Sequence, residues 1–237
     1  MQVKRVAQLS VSIVLASMFL NAVLIGLASS DIQAASGARA SADCSRPIVL
    51  GSNLIANGDA EADVGAANRG SVVPPSCWTV ESNLTAESYT VPGSPTTTFG
   101  LNYFAGGPDT AISTATQTIT VSSLASAIDK NVVEVLLKGW LGGYSVETDT
   151  MTVKATFRSQ TLEQRGELTI GPITADARDD TTKLLPLSAM TKVPTATRQI
   201  VITMVAVRHD STFNDGYADE LSLTLDTHQL FLPLIRR

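Results

Sequence analysis

Histidine, cysteine, aromatic rings and charge are all scarce in this sequence, and each shortage removes a class of function. The 237 residues hold two histidines, two cysteines, 5% aromatics and 16% charged side chains. A zinc site or a catalytic cysteine needs more partners than that. Ser-His-Asp catalysis would have to recruit His209 or His228. His209 lies in the polar stretch HDSTFNDG, where a solvated imidazole is the ordinary expectation. There is no glycine-rich phosphate loop and no HExxH motif. The 17 basic residues are scattered without interleaved aromatics, which argues against a nucleic-acid surface, and the net charge is -5. Carboxylates are plentiful, but nothing singles out the pair that a glycosidase needs.

What is present begins with a leader. Lys4 and Arg5 precede an apolar run from Val11 to Ala28, followed by the small-residue stretch ASSDIQAASGARASA. This is the layout of a secretory signal peptide over residues 1–40, with A-x-A cleavage options at Ala38–Ala40 and Ala40–Ala42. The rival reading is an uncleaved anchor, which would be the chain's one attachment to a membrane. Asp43 argues against a lipoprotein signal at Cys44. In either case the bulk of the chain is secreted or lies in the cell envelope. Cys44 and Cys77 then form the simplest pair an oxidising compartment allows, a disulfide. It would tie the mature N-terminus to the segment entering Trp78, whose ring is expected against it.

From about residue 44 to 226 the pattern is that of strands. TATQTITVS (Thr114–Ser122) and TMTVKATFRS (Thr150–Ser159) alternate apolar and polar residues. VVEVLLKGWL (Val132–Leu141) and RQIVITMVAV (Arg198–Val207) are apolar on both faces, as central strands are, so Trp140 is expected in the core. ELTIGPITA (Glu167–Ala175) adds a shorter strand. Turn signals stand at Pro92–Pro95, Gly106–Asp109, Gly142–Gly143, Arg178–Asp180 and Asn214–Gly216. Helical periodicity is limited to a turn around Ser122–Ile128. Many short strands with turn residues between them imply an all-β, antiparallel β-sandwich of jelly-roll type. Residues 227–237, THQLFLPLIRR, form a tail too short to span a bilayer. It either packs Leu230, Phe231 and Leu234 or serves as a sorting signal. Nothing in the sequence sets an oligomeric state.

The last strand contains an oddity. Leu221, Leu223 and Leu225 share one face, and counting back by twos places Asp219 on that face too. In a sandwich the first and last strands are often neighbours, so Glu61, from NLIANGDAEAD, and Asp219 are candidates to meet. Hard oxygen ligands of this kind suit Ca2+, which would remove the cost of burying the carboxylate. The alternative is that Asp219 closes a turn or caps backbone amides at a sheet edge.

NLIANGDAE (Asn53–Glu61) and DGYADELSLTL (Asp215–Leu225) resemble the ends of the carbohydrate-binding-module type of galactose-binding-like jelly roll. Members often open with N-L-x-x-N-G-x-F-E and close with a D-[DN]-[VL]-x-L strand. The interior stretches WLGGYSVETDTMTVKATF, TIGPITADARDDTTKLLP and VPTATRQIVITM resemble a bacterial extracellular subgroup of that kind. The resemblance covers most of Asn53–Leu225. It implies a structural calcium held by Glu61 and Asp219. Two positions depart from the pattern: Ala60 stands where the family has an aromatic, and Glu220 where it has Asp or Asn.

The expected function is non-catalytic extracellular binding of a glycan or cell-surface polymer. Tyr103, Phe104 and Tyr144, beside glycine-rich loops, are the candidate rings for stacking on sugars. The alternative is a structural or adhesive cell-envelope protein that binds no sugar.

Overall fold

A computed structural model describes residues 44–96 and 99–227. The leader (residues 1–40) and the tail from residue 228 lie outside the described residues. Among the described residues no helix is long and apolar enough to cross a membrane.

Among the described residues ten strands run in chain order: β1 (Thr79–Glu81), β2 (Thr85–Ser88), β3 (Asn102–Pro108), β4 (Ile112–Thr120), β5 (Val133–Gly143), β6 (Thr150–Arg158), β7 (Gln164–Ile170), β8 (Lys183–Lys192), β9 (Gln199–Val207) and β10 (Phe213–Thr227). One short helix, α1 (Ala125–Asp129), follows the turn at Ser122–Leu124, where the sequence shows its one helical signal. The strands form two five-stranded sheets, ordered β1-β4-β9-β6-β7 and β2-β3-β10-β5-β8, and their pairings are antiparallel. The fold is an all-β sandwich, as expected from the strand pattern.

Alternation builds the core. On β6, Met151, Val153, Ala155 and Phe157 are buried, while Thr152, Lys154, Thr156 and Arg158 are only partly covered. Ile200, Ile202 and Met204 of β9 meet them from the same sheet, and Leu137, Leu141, Leu221, Leu223 and Leu225 close the core from the other. Each such side chain contributes about 1.5–3 kcal/mol through burial.

The N-terminal segment runs beside the last strand, as the sandwich topology predicts. Gly51 N–H donates to Leu225 O (2.9 Å), Leu54 N–H to Leu223 O (2.9 Å) and Leu221 N–H to Gly58 O (2.8 Å). Cys44 and Cys77 are joined in a disulfide. Trp78 beside it turns its ring edge to Phe104, with centroids 5.9 Å apart, and donates Nε1–H to Asn57 O at 3.0 Å.

Three expectations are corrected. Gly142–Gly143 and Asn214–Gly216 are strand residues of β5 and β10, not turns between strands. Their glycines serve close approach: a Cβ on Gly142 would lie 2.0 Å from Lys183 O, and one on Gly216 would lie 2.3 Å from Thr150 O. Trp140 does not enter the core, because β5 alternates. Leu137 and Leu141 point inward, while Lys138 and Trp140 point outward and remain exposed or half-buried.

The third correction concerns Asp219. A β-bulge shifts the register of β10 against β5 between Asp219 and Ser222, with Glu220 at φ 51. Two residues, Glu220 and Leu221, therefore stand opposite the single Gly139. Counting across the bulge, Ala218 joins the leucines in the core, and Asp219 pairs with Trp140 on the outer face. Asp219 is nonetheless fully buried, beneath the loop that carries Tyr89.

Candidate functional site

The outer face of the β2-β3-β10-β5-β8 sheet gathers most of the aromatic rings. Tyr103, Tyr217 and Phe213 are buried there in a second apolar cluster, with Tyr89, Phe99, Trp140 and Tyr144 packed around it. Tyr89 and Phe99, which precede β3, lie over this face. Tyr89 lies 4.8 Å from Tyr103 between ring centroids, and Phe99 lies 4.6 Å from Trp140.

Trp140 stands in a groove of about 560 Å3 with Lys138, Pro186, Ser188, Glu220 and Ser222. The outward positions continue down the same strands into a smaller groove of about 340 Å3, lined by Glu134, Leu136, Met190, Thr224 and Asp226. An aromatic ring is thus followed along the sheet by hydroxyls and charges of both signs.

A second cleft, of about 520 Å3, opens beside Arg69, Tyr144, Glu147, Ser211, Phe213 and Asp215. Arg69 organises it. Its guanidinium carbon lies 5.0 Å from the centroid of Tyr144 and 4.7 Å from that of Phe213. It donates to Asp215 Oδ1 at 2.7 Å and to Tyr217 Oη at 2.9 Å. Tyr217 Oη–H donates to the same Asp215 oxygen. Burial of the side chain, and then its hydrogen bond with Asp215, push the Glu147 carboxyl up to about 7.

Glu147, Asp149 and Asp215 bring one oxygen each within 4.8 Å of one another, a donor set of the kind that holds a cation. Much of this set is already engaged. Asp149 accepts backbone N–H groups from His209 (2.5 Å), Asp210 (2.9 Å) and Asp215 (2.8 Å), and Asp215 is paired with Arg69.

The residues expected from the sequence fall in different places. Tyr144 lines the second cleft. Tyr103 is fully buried under Tyr89, its hydroxyl donating to Glu87 Oε1 at 2.9 Å. Phe104 faces the opposite way, into the sandwich core. Glu61 Oε1 accepts the N–H groups of Leu101 (2.7 Å) and Asn102 (2.8 Å). Asp219 accepts from the Tyr89 hydroxyl at 2.6 Å and from the Glu220 N–H at 2.7 Å. Tyr89 N–H in turn donates to Leu101 O at 2.9 Å, so the two carboxylates hold the linked residues Tyr89 and Leu101. Burial raises the Asp219 carboxyl to about 8.

Arg69 and Glu147 carried no sequence signal of a site, and Arg178 only that of a turn. They lie in loops far apart in the chain, and their convergence depends on the topology. Asp215 was legible only as a turn residue.

No protein-family profile matches the chain, and no curated protein sequence is similar to it. The solved structures similar to it are mostly carbohydrate-binding modules. A family 16 carbohydrate-binding module shares 15% identity at a TM-score of 0.46, over 73% of this chain and 99% of the module. The xylan-binding domain CBM22-1 from Paenibacillus barcinonensis shares 12% at 0.40, over 68% of this chain and 92% of that domain. The enzymatically active domain of tailspike protein 4 from bacteriophage CBA120 shares 17% at 0.46; 73% of this chain matches 21% of that one. Likeness at this level carries neither a ligand nor an activity.

Proposed function

We propose that this protein is an exported, non-catalytic binding domain that takes a glycan chain along the outer face of the β2-β3-β10-β5-β8 sheet. The observation that carries this reading is Trp140, held half-buried on that face among Lys138, Ser188, Glu220 and Ser222. The apolar face of a pyranose stacks on an indole, and side-chain donors and acceptors around the ring meet its hydroxyls. Tyr144, in the neighbouring cleft, is the second ring. Two of the three clustered carboxylates, Asp215 and Asp149, are tied to Arg69 and to backbone amides, which suits a binding surface better than acid–base catalysis.

Calcium at Glu61 and Asp219 belongs to the same proposal. Asp219 is buried with neutral donors as its hydrogen-bond partners, and Asp59 adds a further negative charge nearby. A buried carboxylate whose partners are neutral is a group that a hard, oxygen-seeking cation would stabilise. Its role is to fasten the chain ends. The disulfide supports export to an oxidising compartment.

A structural or adhesive envelope role is the second reading. It is favoured by the complete burial of Tyr103 and Phe104, which leaves those rings no surface for a ligand. A glycan array probed with the exported domain, alongside its Trp140→Ala variant, separates the two. Binding that the substitution abolishes supports the first reading, and no binding across the array supports the second.

A further inference from the structure

Arg178 is a buried cation whose hydrogen-bond partners are backbone carbonyls. It shows no exposure, and burial lowers its pKa. Nη1 donates to Gly143 O (2.9 Å), Ser145 O (2.9 Å) and Thr181 O (2.5 Å), and Nη2 donates to Glu147 O (3.0 Å). Nε has no hydrogen-bond partner among the described residues, so the charge is buried at a cost that the carbonyls held by the other two nitrogens offset only in part. Gly143, Ser145 and Glu147 are alternate residues at the end of β5 and in the loop that leads to β6. That loop carries Tyr144 and Glu147 into the wall of the second cleft. A Cβ on Gly143 would sit 2.8 Å from Asp215 O and 3.3 Å from Arg178 Nη2, so the glycine admits the backbone of β10 first and the guanidinium beside it. The positive charge also acts on Asp215 and Tyr217 at the cleft floor.

We propose that Arg178 is the positioning residue of this cleft. It fixes the loop from Gly143 to Glu147, so that Tyr144 and Glu147 stand in place before a ligand arrives. Nη1 reaches the Gly143 and Ser145 carbonyls and Nη2 the Glu147 carbonyl, so the two arms of one rigid plane cover three alternate residues; an ammonium placed at Nη1 would lose Glu147. Preorganisation of this kind raises affinity by removing the ordering cost from the binding step. The inference rests on the reading that the cleft takes part in glycan binding.

The test uses the full chain with Arg178→Met and Arg178→Lys. Amide hydrogen exchange is followed at Ser145, Glu147 and Thr148, which are hydrogen-bonded in the loop, and at Val153 and Ala155 of β6. Affinity is measured for whichever glycan the array identifies. In Arg178→Met the loop amides are expected to exchange at least ten-fold faster with the β6 amides unchanged, and affinity to fall ten-fold or more; Arg178→Lys recovers part of both. Equal acceleration in loop and strand, unchanged loop protection, or full affinity with a loosened loop would each overturn the proposal. If Arg178→Met does not fold, Arg178→Lys carries the same comparison. If the parent protein binds no glycan, the functional reading fails, while the exchange data still decide what Arg178 holds.

Discussion

Asp219 lies opposite Trp140 across β10 and β5, on the face of the sheet turned away from the core. The carboxylate is buried under the Tyr89 hydroxyl, while the indole beside it lines an open groove. A buried carboxylate that holds Tyr89 and an indole that lines an open groove are thus the two members of one cross-strand pair.

The buried carboxyl has a pH signature. Asp219 titrates near 3.8 when unfolded and is raised to about 8 in the folded protein, mainly by burial. Between those values the unfolded chain binds fewer protons than the folded one, so stability falls as pH rises. The contribution is fully present below about pH 4 and lost by about pH 8. In calcium-free buffer, Asp219→Asn is expected to remove this part of the pH dependence and to melt above the parent protein at pH 8. Thermal melts of both proteins from pH 4 to 9 check it; parallel curves would mean that Asp219 titrates normally.

Calcium should reverse that penalty. With millimolar calcium at pH 7.5 the parent protein is expected to melt several degrees higher than with a chelator, as ligand linkage requires. Asp219→Ala and Glu61→Ala should each abolish the difference. If chelation leaves the parent melting point unchanged, Asp219 is a clamp on Tyr89, and Glu61 a clamp on Leu101 and Asn102.

The β-sandwich was legible in the sequence because half-buried strands such as β6 and β4 alternate cleanly, and period two is a strong signal. The side Asp219 faces was not. A bulge adds one residue and inverts every inference made across it by counting, and Glu220 carries no mark that would announce one. β8 escaped because Pro186 interrupts its pattern, and Pro is tolerated where a strand lies at a sheet edge, as β8 does. Glycine pairs were read as turns because the same residue serves turns and close backbone approach. Glu61 and Asp219 were paired from strand alternation and from the expected neighbouring of first and last strands, and the resemblance at the two ends of the domain added the calcium. The cleft of Arg69, Glu147 and Asp215 is assembled from three distant segments, and no spacing rule connects them.

The groove prediction is sharper than the general one. Removing an aromatic stacking partner costs about 0.5–1.5 kcal/mol beyond its buried area, and about 1.4 kcal/mol is ten-fold in affinity. Trp140→Ala should therefore weaken glycan binding about ten-fold or more while lowering the melting temperature little, because the indole lies outside the sandwich core. Phe104→Leu should do the opposite, lowering stability and leaving affinity intact. Calorimetric titration with melting curves distinguishes the two, and equal affinity loss in both would place the ligand elsewhere.

The disulfide offers a separation of stability from binding that needs no substitution in the groove. Cys44 and Cys77 are separated by 33 positions, and the loop they close contains the Asn57–Asp63 turn. That turn is itself tied across the loop: Asp63 accepts the Ser76 N–H at 2.9 Å, and Asn57 O accepts Trp78 Nε1–H at 3.0 Å. In the chain-entropy account a loop of this size is worth about 3–4 kcal/mol. At roughly 2–4 °C per kcal/mol for a domain of this size, reduction should lower the melting temperature by about 10 °C. Because the bridge constrains the unfolded chain, the reduced protein at room temperature should keep its glycan affinity. Melting and titration with and without reductant test both halves. A loss of affinity on reduction would mean that the bridge also shapes the outer face, through the Asn53–Gly58 segment it anchors beside β10.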